Sequence, residues 1–233
     1  VHRDLQANAR YCTAPRGGGG GPAGASMIGR LARRLRYGAP IVVVSGLPRS
    51  GTSMMMRMLE AGGVAPLEDG IRGADVSNPK GYFEFEPVKD LERARGDVTW
   101  LPEARGRAVK IISFLLTWLP EDFNYQVIFM QRDLDEVLAS QQQMLARRGE
   151  GEAAGAAADA VRSREVFQSH LAQVERFMAA RACFETLYLP YRDAVAAPEA
   201  TAVAVAAFLG RSMDTAAMAK AVEASLYRNR ARL

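Results

Sequence analysis

Cysteine and histidine are scarce in this chain of 233 residues, with two of each. Cys12 and Cys183 are too few for a disulfide framework or a cysteine zinc site, so a reducing, cytoplasmic setting is expected. Histidine offers His2 near the start and His170 far downstream, and His170 reads as a structural residue on a helix beside Phe167 and Val174. Long apolar runs are missing as well. A stretch such as 200–209 falls far short of the roughly 20 residues that a helix needs to cross a bilayer. With 48% hydrophobic and 24% charged residues, the composition is that of an ordinary globular domain.

Basic charge is confined to one end. The isoelectric point near 9.3 could suggest a nucleic-acid partner. Residues 1–38, however, hold seven arginines against one aspartate, a formal +6, which leaves 39–233 at −2 of the total +4. The domain proper is therefore not expected to bind nucleic acid. Residues 1–26, with five glycines at 17–21 between Pro15 and Pro22, read as a disordered extension, native or of vector or read-through origin. MIGRLARRLRY at 27–37 puts Ile28, Leu31 and Leu35 on one helical face among arginines. It is either a solvated lead-in helix or one that meets an acidic membrane surface or partner. The chain thus divides into a basic tail over 1–38 and one domain over 39–233.

Beyond the tail, short apolar runs alternate with helical patterns. IVVV at 41–44 has no polar alternation, as expected of a strand buried on both faces of a parallel sheet. Further strands are expected over 108–112, 126–130 and 185–189. Helices are expected over 52–61, closed by Gly62 and Gly63, and over 134–148, with Asp133 as N-cap and Gly149 past the end. A longer one over 153–181 aligns Phe167, Leu171, Val174 and Met178, and another over 198–209 starts at Pro198 and stops at Gly210. This order predicts an α/β fold, a three-layer α/β/α domain with a central, mainly parallel sheet.

Between the first strand and the following helix lies GLPRSGTS at 46–53. It keeps the glycine frame of the phosphate loop G-x-x-x-x-G-K-[ST], but Thr52 stands where the lysine would be. Backbone N–H groups at such a strand–turn–helix junction converge on an anion. The hydroxyls of Ser50, Thr52 and Ser53 add donors, and Arg49 adds a planar fork. The alternative is a tight turn that merely connects strand to helix. A magnesium nucleotide would also need an aspartate closing a later strand. VIFM at 127–130 leads toward Asp133, but Gln131 and Arg132 intervene, and arginine favours an anion over a cation. No metal site is expected, and the ligand is read as a nucleotide whose chemistry needs no magnesium.

At this point a resemblance enters. The loop PRSGTS at 48–53 resembles the 5′-phosphosulfate loop of sulfotransferases that use 3′-phosphoadenosine 5′-phosphosulfate (PAPS), in a divergent, bacterial-type form. The second signature of that family, a strand, Arg-Asp, then a helix with serine eight residues after the arginine, is matched by VIFMQRDLDEVLAS at 127–140. The resemblance implies a P-loop NTPase-like fold. It implies that Gly46, Pro48, Arg49, Ser50, Gly51, Thr52 and Ser53 hold the phosphosulfate, that Arg132 and Ser140 bind the 3′-phosphate, and that the product is adenosine 3′,5′-bisphosphate. Two separated positive pockets are then expected to grip opposite ends of the nucleotide. Weaker likeness continues through YRDAV at 191–195, Pro198, Glu199 and FLG at 208–210, which resemble the family's late strand and the helix ending in F-L-G. The late G-x-x-G-x-x-K segment and the catalytic histidine of the cytosolic enzymes are missing.

The chemistry implied is sulfuryl transfer from PAPS to a hydroxyl or amine on a small-molecule, lipid, glycan or peptide acceptor. Arg49 is the candidate for stabilising the charge on the bridging oxygen. NPKGYFEFE at 78–86 is similar to a stretch of bacterial members and offers Glu84 or Glu86 as the general base, Glu84 first; a structural or orienting carboxylate is the alternative. Lys110, inside the run 108–112, either binds the sulfuryl group or acceptor, or is an ion-paired structural lysine. Met54, Met55, Met56 and Met58 read as core filling, and Trp100 and Trp118 as core residues in preference to stacking platforms. YRNRAR at 227–232 either closes over the bisphosphate or is a solvated basic end. Two rival functions stay open: a magnesium-dependent ATP or GTP phosphotransferase with an altered loop, and a noncatalytic nucleotide-binding protein of the same fold.

Overall fold

The computed structural model describes residues 27–70, 83–92, 98–147 and 156–223. Residues 1–26, Asn78, Gly149 and 227–232, with the expectations attached to them, lie outside the described residues. Four strands, β1 (Ile41–Gly46), β2 (Ala108–Lys110), β3 (Tyr125–Gln131) and β4 (Phe184–Pro190), form one sheet in the order β2-β1-β3-β4, every pair parallel. Val43 sits opposite Val109 on one side and Val127 on the other, so β1 is central.

The unbroken apolar run of β1 has its reason in two cores. Ile41 and Val43 enter one with Val109, Ile111, Val127 and Phe129, whereas Val42 and Val44 enter the other with Ala108, Ile128 and Met130. Each such side chain, fully buried, contributes about 1.5–3 kcal/mol. The first core is closed by Leu115 and Leu116 from a 3-10 turn (Ser113–Trp118), by Trp100 and Leu101, and by Val174 and Met178 of α4 (Ala156–Ala179). The second is closed by α2 (Thr52–Ala61), α5 (Tyr191–Ala196), α6 (Pro198–Leu209) and α7 (Thr215–Lys220). Helix layers therefore cover both faces of the sheet, the three-layer α/β/α arrangement expected.

Local chemistry sets the ends. Asp133 caps α3 (Leu134–Arg147), its Oδ1 accepting from the N–H groups of Asp135 at 2.9 Å and Glu136 at 3.2 Å. α6 ends at Gly210 in the left-handed region, φ 63°. Met55, Met56 and Met58 are fully buried on α2, the core filling expected of them. β2 stops at Lys110, two residues short of the expected end: Ile111 N–H still donates to Val44, and the chain then leaves the sheet for the 3-10 turn. YRDAV, likened to a late strand, instead forms α5 directly after β4, and α7 was not foreseen; at six residues each they are too short for a periodic signal, and Asp214 caps α7.

Before the sheet, α1 (Met27–Tyr37) attaches to the body by its polar side. Arg33 donates from Nε to Asn124 Oδ1 at 3.0 Å and from Nη2 to the carbonyls of Glu121 and Phe123 at 2.7 and 3.1 Å. Asn124 Nδ2 donates back to the carbonyls of Arg33 and Gly38. The apolar face points away, with Ile28, Leu31 and Leu35 at 80%, 60% and 81% exposure.

Candidate anion-binding site

The turn between β1 and α2 is built so tightly that its glycines are sterically required. A Cβ on Gly46, φ 144°, would lie 2.4 Å from Ser50 Oγ and 2.5 Å from the Met130 carbonyl oxygen at the end of β3. A Cβ on Gly51, φ 98°, would lie 2.3 Å from the ring of Tyr191. Arg49 is itself left-handed at φ 71°, an uncommon conformation for a residue with a side chain. The loop is thus held between the end of β3 and the first residue of α5. Ser50 N–H closes the turn onto Leu47 O at 3.1 Å, so that donor belongs to the loop's own frame. Ser50 Oγ is buried with no hydrogen-bond partner. Buried hydroxyls are rarely left so, and a group that accepts from it is the natural completion.

Two motifs more than 80 residues apart in sequence meet here. Arg132 Nη1 donates to the carbonyl oxygen of Arg49 at 2.9 Å. Arg49 Nε donates to Ser140 Oγ at 3.1 Å. Arg132 Nε also donates to Glu136 Oε2 at 2.9 Å, with side chains only 9% and 6% exposed. Arg132 and Ser140 thus each bond Arg49, one at its carbonyl and the other at its side chain. Through Arg49 the donors expected at the two ends of the nucleotide adjoin each other. Glu136, in the first turn of α3, and the Arg49 backbone together orient the guanidinium toward the loop.

Glu136 and Tyr191 were not singled out from the sequence. Arg132 precedes α3 and Glu136 sits in its first turn, so the pair depends on the strand–helix turn and helical spacing did not announce it. Tyr191 gave only a weak likeness. Its ring packs on Gly51 and lies under the Arg132 guanidinium, 4.8 Å from ring centre. Burial pushes its phenol pKa up, against the lowering effect of Arg132.

The other candidates form a second group at the end of β2. Lys110 pairs with Val44 in register, at the C-terminal edge where open α/β sheets carry their sites. Its ammonium is 3.9 Å from Glu84 Oε1, both side chains largely buried, and Lys89 approaches Glu84 Oε2 at 3.4 Å. The two predicted residues are therefore partners of each other. Glu86 pairs with Lys89 at the surface. Phe83, just before Glu84, is left-handed at φ 51° and buried, so the carboxylate is presented from a constrained backbone.

His170 stacks on Phe114 with ring centres 3.8 Å apart, and its Nε2 is hydrogen-bonded to Ser113 Oγ at 2.9 Å. Burial holds its pKa below the usual imidazole value. Trp100 is a core residue, edge-on to Phe85, whereas Trp118 is 45% exposed and not the core residue expected; it ends the 3-10 turn at the surface. Asp133, the nearest aspartate to a magnesium-ligand position, uses Oδ1 to cap α3.

Among the described residues no helix is long and apolar enough to cross a membrane. No protein-family model and no curated protein matches the chain. Among solved structures it is similar to a sulfotransferase from Alicyclobacillus acidocaldarius, with 17% identity, a TM-score of 0.44, and 76% of this chain and 84% of that one covered. It is also similar to sulfotransferase STF1 from Mycobacterium tuberculosis H37Rv, with 18% identity, a TM-score of 0.47, and 84% of this chain and 75% of that one covered. At these identities and scores the role of each residue rests on the geometry of this chain alone.

Proposed function

We propose that the protein is a metal-independent sulfotransferase that moves the sulfuryl group of PAPS to a hydroxyl or amine acceptor. The observation that carries this reading is the convergence of Arg49, Arg132 and Ser140 on a glycine-caged loop whose Ser50 hydroxyl lacks a partner. Such a site is rich in donors that match phosphate and sulfate oxygens. Residues 46–53 hold the 5′-phosphosulfate, and Arg132 with Ser140 holds the 3′-phosphate. Arg49 serves both, because its guanidinium already bonds Ser140 while its backbone anchors Arg132.

In transfer, negative charge builds on the oxygen that leaves sulfur, and Arg49 is placed to stabilise it. The Glu84–Lys110 pair faces the acceptor: the carboxylate takes the proton of the attacking hydroxyl or amine, and the ammonium aligns the sulfuryl oxygens.

Calorimetry with adenosine 3′,5′-bisphosphate and with ATP, each in EDTA and in magnesium, tests the reading. Tight binding of the bisphosphate in EDTA is expected. ATP binding that depends on magnesium would show a phosphotransferase instead. Transfer of label from PAPS to an acceptor panel then separates an enzyme from a nucleotide-binding protein.

A further inference from the structure

α2, which opens at the anion loop, carries one more arginine that the motifs do not include. Arg57 lies four residues after Ser53 and so shares its helical face. Its Nε and Nη1 are buried and have no hydrogen-bond partner. A buried charged donor without an acceptor is costly, and the α2 sequence offers shorter, apolar residues such as methionine at neighbouring positions. Burial pulls the Arg57 pKa down, with Glu223 and Tyr191 opposing.

The surroundings indicate what is missing. Tyr191, whose ring packs against Gly51, carries Arg132 over its face. Its phenol, pushed up by burial, is under the influence of Arg132, Glu136, Arg57 and Arg49 together. Arg132, Arg57 and Arg49 thus all bear on one tyrosine, while Glu136 is paired with Arg132 and Glu223 acts on Arg57, three positive charges against two negative. Positive charge is in excess, and the orphaned donors are Ser50 Oγ just before α2 and two nitrogens of Arg57 along it. An anion satisfies both observations, whereas a neutral partner satisfies only the hydrogen bonds.

We propose that Arg57 is a further ligand-binding residue of this site, its Nε and Nη1 donating to anionic oxygens of the ligand seated on the 46–53 loop. On the reading given under Proposed function, on which this rests, those are phosphate oxygens of the nucleotide.

The test is binding and thermal melting of Arg57→Met and Arg57→Lys beside the wild type, with adenosine 3′,5′-bisphosphate and with inorganic sulfate as probes. Arg57→Met removes two buried donors that lack hydrogen-bond partners, so its melting temperature without ligand is expected to equal or exceed that of the wild type. Its affinity for the bisphosphate is expected to fall on the order of tenfold or more. Arg57→Lys is expected to recover only part of the loss, because an ammonium does not reproduce the planar fork. Wild-type affinity in Arg57→Met overturns the proposal. Should Arg57→Met melt lower, Arg57→Lys decides, and full affinity there overturns it. Arg57-dependent stabilisation by sulfate with no bisphosphate binding would keep Arg57 as an anion contact and remove the nucleotide reading. Bisphosphate binding that ignores Arg57 would do the reverse, and stabilisation of the wild type by neither probe would end both.

Discussion

Gly46 and Gly51 illustrate how two residues without side chains define a site. The obstacle at Gly46 includes a main-chain carbonyl, that of Met130, which no rotamer change can clear. Gly46→Ala is expected to lower the melting temperature and abolish bisphosphate binding together, measured by thermal denaturation and calorimetry. Arg49→Ala acts differently, since its backbone contact to Arg132 survives. It is expected to reduce turnover with PAPS by about 10²-fold or more, roughly 3 kcal/mol of transition-state stabilisation, while the fold persists. Arg132 needs a paired design. Removing it alone would break its buried ion pair with Glu136, 6% exposed, at a cost of about 3–5 kcal/mol. Arg132→Ala combined with Glu136→Gln leaves a neutral amide instead. Affinity for PAPS should then fall far more than affinity for adenosine 5′-phosphosulfate, and equal losses would remove the 3′-phosphate assignment.

At the scale of elements, α1 separates pattern from placement. Its periodicity identifies a helix with an apolar stripe, yet periodicity does not say which side the body takes. Here the body takes Arg33, through Asn124 and two carbonyls, and leaves the stripe in solvent. Leu31→Ser is therefore expected to change stability by no more than about 0.5 kcal/mol. Asn124→Ala, which removes the residue linking Arg33 to the carbonyls of its own helix end, is expected to cost about 1–3 kcal/mol. Urea denaturation measures both, and limited proteolysis at 27–37 reports release of α1. The elements that were legible carried their own markers, the β-branched run of β1, Asp133 before α3, Pro198 and Gly210 around α6, whereas the six-residue α5 and α7 carried none. The site was legible where a loop and a strand–helix turn fix their own geometry, as at 46–53 and at Arg132 with Ser140. Tyr191 against Gly51, Lys110 with Glu84, and Arg57 with its empty donors depend on packing between distant elements, which local spacing does not encode.

For the whole molecule, acid sensitivity offers a readout of how the layers close. His170 joins α4 to the turn after β2 through Ser113 and Phe114. In the unfolded chain it takes up a proton near 6.5, and in the folded chain only at lower pH, because burial disfavours the charged ring. The unfolded state therefore binds more protons in that interval, and stability should fall as pH drops below about 6.5, levelling once the folded chain also protonates. His170→Gln is expected to flatten that component, measured as urea midpoints at about pH 7.5 and about pH 5.5.

The bond from Arg132 to the Arg49 carbonyl has a mechanical consequence. It ties the exit of the central strand to the entrance of α3, so neither can drift alone, and the cage around Gly46 leaves the turn no slack. If the turn is the seat proposed above, its backbone is already fixed when ligand arrives, and association should proceed in one kinetic phase without a slow rearrangement.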